Sequence, residues 1–364
     1  MSNRSIRNVV VSGGLLRTVA VIAGATLALP IGARAQDAAS ASAPQSLGQA
    51  HLYSGGLNLT PTDAQGHSVH IMPTPRAASA LPKPGLTPAL SYHGGPIMPT
   101  IEIYDIFWVG ALQGGGTATL TAHYESVEEQ FASDYAGHSV DNNNTQYNQT
   151  SPTKYVSGLS TLATGESFGG SYVDTDAFPA SSCTDSVTPN NCITDAQLQA
   201  EIVKVLGVKG WTGGLNKIFL VYTGQGEGSC FDSSSASCAY TNTGYCAYHG
   251  SFTSGTQTVV YGNMPYANPS YCTVAGQTFP TGDTAADAAA NVSSHEVSEA
   301  ITDPELDAWW DGANGEEIGD LCAWTFGTNG YDTGKANQQW NGNFYELQLE
   351  YDNHKAACEQ DGPN

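Results

Sequence analysis

Residues 282–304 read GDTAADAAANVSSHEVSEAITDP. Gly282 breaks the chain, Asp283 is placed to cap a helix N-terminus, Asp287 suits the positive end of the helix dipole, and Pro304 stops the helix. Ala285, Ala288, Ala289 and Val292 fall at i, i+3, i+4 and i+7, the spacing of an inward-facing stripe. The pattern predicts a helix over about 284–303. Its stripe continues into His295, Glu296 and Glu299, so an apolar face turns ionisable while still pointing inward. Val297 and Ile301 occupy the opposite side, and the turn is expected to be buried all round.

Buried charges are costly unless they are paired or bind a metal. His295 and Glu299 are four residues apart, so their tips converge on one side of the helix. This is the spacing of the two histidines in H-E-x-x-H zinc helices, with Glu in place of the second His. Glu296 stands where those helices carry the general base. A His–Glu ion pair on a buried helix is the plain alternative. The stretch Gly315-Glu316-Glu317-Ile318-Gly319-Asp320-Leu321-Cys322 follows beyond a loop and adds Glu317 and Asp320 as candidate ligands. A third ligand from a downstream segment is what a three-ligand catalytic zinc site requires.

His249, behind Cys246-Ala247-Tyr248, is a further candidate ligand, with a locally hydrogen-bonded loop residue as the alternative. Two histidines with a carboxylate suit zinc, whereas an oxygen-rich set would take calcium. His51, His67 and His70 fall in a segment read as linker, and His123, His138 and His354 show no partner. Trp309, Trp310 and Trp324 flank the acids, either as walls of a cleft or as core anchors.

Outward from the helix, IEIYDIFWV (101–109), KIFLVYT (217–223), QTVVYG (257–262) and FYELQLEY (344–351) read as strands. Residues 117–135 and 195–206 read as helices, and 224–256 as a Cys/Ser/Gly loop region. The mixture predicts an α/β or α+β fold, a mixed sheet with packed helices and a zincin-like active helix, its long loops stapled by disulfides. Residues 36–92, with the run PTPRAASALPKPGLTPAL, read as a Pro/Ala/Ser-rich linker or pro-segment, and 93–364 as one globular domain.

Residues 1–35 read as an export signal. Arg4, Arg7 and Arg17 precede the apolar stretch TVAVIAGATLALPI, and Ala33-Arg34-Ala35 forms a cleavage site before Gln36. The leader is of bacterial type and predicts a secreted or periplasmic protein. Eight cysteines in such a chain predict disulfides, with Cys183–Cys192 and Cys322–Cys358 as candidate pairs. The 364 residues carry 12 Lys and Arg against 34 Asp and Glu, and four of those basic residues lie in the leader. So few cations exclude phosphate-backbone recognition, hence nucleic acid, and disfavour anionic membranes once the leader is removed.

HEVSEAITDP, AWWDG and EIGDLC together resemble the plant phosphate-induced family, also called Exordium, and its bacterial relatives. CAYHG (246–250), YGNMPYANPSYC (261–272), IYDIFWVG (103–110) and the chain end extend the resemblance over roughly 92–364. Asp303 replaces the usual Asn, and Cys238 is extra. The resemblance implies a secreted protein and matches His249, His295, Glu296, Glu299, Glu317 and Asp320 to family positions, without implying a reaction. Two functions are therefore expected. One is a zinc-dependent peptidase with Glu296 as base and a peptide or cell-wall substrate. The other is a non-enzymatic extracellular protein whose cluster holds a structural metal or an ion-pair network, acting in cell-surface or carbohydrate binding.

Overall fold

Strand Lys217–Thr223 is buried along nearly its whole length, as the middle of a parallel sheet requires when helices cover both faces. It belongs to a computed structural model that describes residues 57–80, 90–149, 153–158, 162, 166–241, 244–267 and 269–362. The main sheet has six strands: β1 (Val69–Pro73), β2 (Glu102–Trp108), β3 (Phe168–Asp174), β4 (Lys217–Thr223), β5 (Tyr245–Ser254) and β6 (Gln257–Met264). Their spatial order is β1-β5-β6-β4-β2-β3. β3, β2, β4 and β6 run parallel, while β5 and then β1 are added antiparallel at one end. The mixed α/β class expected from the sequence is what the chain adopts.

Three long helices pack with this sheet: α1 (Ala122–Asp134), α2 (Asp195–Lys209) and α3 (Thr284–Thr302). Each is set by local chemistry. The Thr121 side chain caps α1, Thr194 and Gln197 form a capping box on α2, and Gly210 ends α2 in the left-handed region at φ 67°. Asp283 accepts from the amides of Ala285 and Ala286 at the start of α3.

All residues of α3 from Ala285 to Thr302 are buried. Its Ala and Ser side chains let neighbouring layers approach closely, and three of its polar side chains are matched from other elements. Ser293 Oγ meets Tyr222 Oη at 2.9 Å, Ser298 Oγ meets Tyr135 Oη at 2.9 Å, and Asn291 Oδ1 accepts from the Gln348 amide at 2.7 Å. A helix hydrophobic on one face only would sit at the surface, whereas this one runs through the core.

Three expectations need correction. The linker reading of 36–92 fails within residues 57–80, because Val69–Pro73 is an edge strand with every residue buried. Ala/Pro-rich flanks masked this short apolar run. Residues 224–256 are not all loop: Gly228–Cys230 and the ten-residue β5 are strands. FYELQLEY is two short strands, Asn343–Tyr345 and Glu350–Asp352, separated by an irregular stretch. The export signal, its cleavage site and His51 lie outside the described residues.

All eight cysteines are paired, as Cys183–Cys192, Cys230–Cys238, Cys246–Cys272 and Cys322–Cys358. The first and last are the pairs named from the sequence, and Cys238 has a partner after all. Among the described residues no helix is long and apolar enough to cross a membrane. The four disulfides are compatible with an oxidising compartment.

Candidate metal centre

The inward turn of α3 meets three other pieces of chain. His295 Nε2 lies 3.0 Å from Glu299 Oε1 and 3.9 Å from Asp320 Oδ1. The short turn after Gly319 carries Asp320 on a 3-10 segment, Asp320–Cys322, which Cys358 anchors through its disulfide. The Asp320 amide donates to Glu299 Oε1 at 3.2 Å, and the Glu317 amide to Asp320 Oδ2 at 3.0 Å. Glu299 and Asp320 thus meet on the His295 side of the helix, with Glu317 tied to Asp320 through its backbone amide.

His249 arrives from β5. Its Nδ1 is 3.2 Å from Glu296 Oε2 and 3.5 Å from Glu299 Oε2, and its Nε2 is 3.9 Å from Glu317 Oε2. It is a fully buried strand residue. The loop alternative is therefore wrong for it.

The sequence reading missed two members. His70, set aside as linker, sits on β1 directly beside His249 in the strand register. Its Nε2 is 2.6 Å from Asp320 Oδ2, while its Nδ1 is 3.0 Å from Thr60 Oγ1 and 3.4 Å from Glu317 Oε1. Gln348, from the C-terminal segment, holds the His295 ring, with its Nε2 2.9 Å from Nδ1 and 3.0 Å from the Gly319 carbonyl. With Nδ1 engaged, Nε2 is the atom left facing the acids, the usual arrangement for an oriented ligand. Three other imidazoles have partners elsewhere: His67 lies on Asp195, His123 near Asp283, and His138 stacks on Trp340.

Gly319 explains part of the EIGDLC motif. A Cβ there would lie 2.5 Å from His295 Nδ1 and 2.8 Å from Cε1. Gly319→Ala should therefore displace the ring, destabilising the fold by about 1–3 kcal/mol and weakening metal retention. Urea unfolding midpoints and elemental analysis check this; an unchanged midpoint and metal content would show that the ring has room to move.

The tryptophans are anchors. Trp310 stacks on His93 with centroids 3.5 Å apart, Trp309 packs on Tyr92 and Tyr147, and the Trp324 indole N–H donates to the Pro73 carbonyl at 2.9 Å. The cleft-wall alternative has no support from them.

The cluster thus joins three imidazoles to four carboxylates, those of Glu296, Glu299, Glu317 and Asp320. Six of the seven residues show no exposure, and Asp320 shows 5%. The Lys cations that make ion pairs, Lys204 and Lys355, pair with acids elsewhere. Burial lowers the pKa of His295 and His249, but the surrounding acids outweigh it. Glu299 above all lifts His295 to about 10, and the hydrogen bond that His249 donates to Glu296, with the Glu299 carboxylate beside it, lifts His249 to about 10. Burial pushes Glu317 well above the carboxylate range, and the Asp303 charge adds to it. Burial also raises Glu296, against a downward pull from its His249 bond. Glu299 moves the other way: the His295 charge leads the effects that overcome burial and lower it. The cluster strongly favours added positive charge.

That charge could come from protons alone, giving a buried ion-pair network. Such a network is stable only when its lone pairs and protons are matched. Here His295 Nε2, Glu296 Oε1, Glu299 Oε2, Asp320 Oδ1 and both Glu317 oxygens make no hydrogen bond. Six unmatched buried ligand atoms within this cluster are what a bound cation would satisfy and a network of protons leaves unsatisfied. Two sets have donor atoms all within 4.8 Å of one another: His70, Glu299 and Asp320, and His249, Glu296 and Glu299. Buried His, Glu and Asp groups able to hold a metal ion are therefore present.

No family model, curated protein or solved structure matches the chain.

Proposed function

We propose that this chain is an exported, Exordium-like protein that works as a zinc-dependent peptidase. The observation that carries the reading is the orphaned set of His and carboxylate atoms around the inner turn of α3. His295, Glu299 and Asp320 are the ligands, a nitrogen and oxygen set that zinc accepts. A bound zinc ion lowers the pKa of a coordinated water to about 7 and polarises a substrate carbonyl. Glu296 takes a proton at its carboxylate, and His249 Nδ1, 3.2 Å from Glu296 Oε2, fixes its direction. Gln348 holds the His295 ring, and Glu317 adds negative charge between His70 and His249.

Complete burial favours a second reading. Structural metal sites are closed, while catalytic ones keep an open position. On that reading the protein is a non-enzymatic extracellular one with a structural ion, calcium among the candidates, acting in cell-surface or carbohydrate binding.

Elemental analysis of the purified secreted protein separates the two, with His295→Ala as control. Zinc at about one equivalent, lost in the variant, supports the peptidase. Calcium in its place supports the structural reading.

A further inference from the structure

The metal centre is closed from one side by a segment that comes from far away in the sequence. β1 (Val69–Pro73) pairs antiparallel with β5 at the end of the sheet, with Val69 opposite Gly250, His70 opposite His249 and Ile71 opposite Tyr248. The amides of Val69 and Ile71 point outward, to the carbonyls of Pro61 and Leu59. His70 and Met72 therefore face β5 through the main chain. Alternation sends Val69 and Ile71 into the apolar core on one face of the sheet and His70 to the other, onto Asp320. A polar residue inside an otherwise apolar run, VHIMP, is placed where a fourth ligand would be.

Apart from β1, β5 is an edge strand. A sheet edge recognises an extended chain through main-chain hydrogen bonds, largely independent of side-chain identity. This edge runs beside Glu296 and Glu299, and its own His249 touches both. A peptide pairing with β5 would pass over the catalytic turn.

We infer that the edge of β5 is the binding strand for an extended peptide substrate and that Val69–Pro73 holds it in cis, with His70 as the fourth ligand of the metal. The inference rests on the peptidase reading for its substrate but not for its geometry. It accounts for a site that is fully buried although its residue types are those of a catalytic centre. In this form the protein is latent.

The test uses the full chain in three forms: unaltered, His70→Ala, and His70→Ala with β1 locked to β5 by Val69→Cys and Gly250→Cys. Residues 69 and 250 are cross-strand partners, and a Cβ at 250 would lie 3.1 Å from the Val69 side chain, close enough for a disulfide. Zinc release to a chelator and hydrolysis of a mixed peptide library are measured for each form. His70→Ala should keep its zinc on three ligands, release it at least ~10-fold faster and hydrolyse peptides at least ~10-fold faster, since an open coordination position is what catalysis requires. The locked form should keep the faster release, which comes from the missing ligand, and lose the gain in hydrolysis, because β1 still covers the β5 edge. Release that is not accelerated by His70→Ala, or a gain in hydrolysis that survives the lock, overturns the inference. Accelerated release with no hydrolysis in any form overturns the peptidase reading while leaving His70 standing as a ligand.

Discussion

Stripping the metal with a chelator should lower the melting temperature by roughly 10 °C, and His295→Ala should melt at one temperature with or without chelator. A ligand present at ~1,000 times its dissociation constant stabilises the native state by about 4 kcal/mol. In a folded unit of about 300 residues, each kcal/mol moves the midpoint by about 2 °C, the low end of the range for 150–250-residue domains. The opposing effect is proton uptake. Once the ion is gone, the imidazoles can be protonated and can partly neutralise the four buried acids. His249 and His295 have folded pKa values raised from 6.5 to about 10 in the metal-free protein. Their protonation therefore stabilises the metal-free fold fully below pH 6.5, and that contribution is lost as pH rises through about 10. The chelator-induced drop should accordingly be smallest near pH 6 and widen towards pH 9. Calorimetric scans at several pH values check this. A midpoint indifferent to chelator at every pH would mean that the cluster holds only protons, and an equal drop in His295→Ala would mean that the ion is held without His295.

How much of this centre could be read from the chain depended on which physical signal each piece carried. Helix α3 was legible because its inward stripe is periodic and its ends are capped, so His295, Glu296 and Glu299 could be placed on one turn before any coordinates. Glu317 and Asp320 were legible as acids beside a cysteine. His70 was not. Five residues, VHIMP, buried on both faces at a sheet edge, show no alternation of polarity, and the surrounding Ala and Pro dominate any compositional window. The β5 strand was hidden in the same way by Cys, Ser and Gly. Gln348 carried a signal that went unused. In YELQLEY the polar residues Glu346, Gln348 and Glu350 alternate and all three are buried, so the polar side of that segment faces inward. Polar residues recurring at period two beside a suspected metal helix mark a supporting shell.

Glu296→Gln carries the sharpest chemical consequence. The substitution keeps the shape of the side chain and an oxygen that can accept from His249 Nδ1, now 3.2 Å from Glu296 Oε2. It removes the capacity to take a proton. If Glu296 is the base, turnover should fall by about 10²–10⁴-fold, the usual worth of a positioned proton acceptor, while zinc stays at about one equivalent. The rate is best followed in whichever form turns over faster, unaltered or His70→Ala, so that closure by β1 does not mask the loss. Metal content decides between the two roles open to this residue. Glu296 shares a close donor set with His249 and Glu299, and a residue that binds the ion through that set would lose metal along with activity. One that acts on the proton alone would not. Burial raises the Glu296 pKa, so its carboxylate holds a proton more readily than a solvated glutamate does. Activity should therefore rise with pH as that proton leaves, and the acid limb of the kcat/KM profile should disappear in Glu296→Gln. Residual hydrolysis that keeps the acid limb unchanged would place the base elsewhere in the cluster.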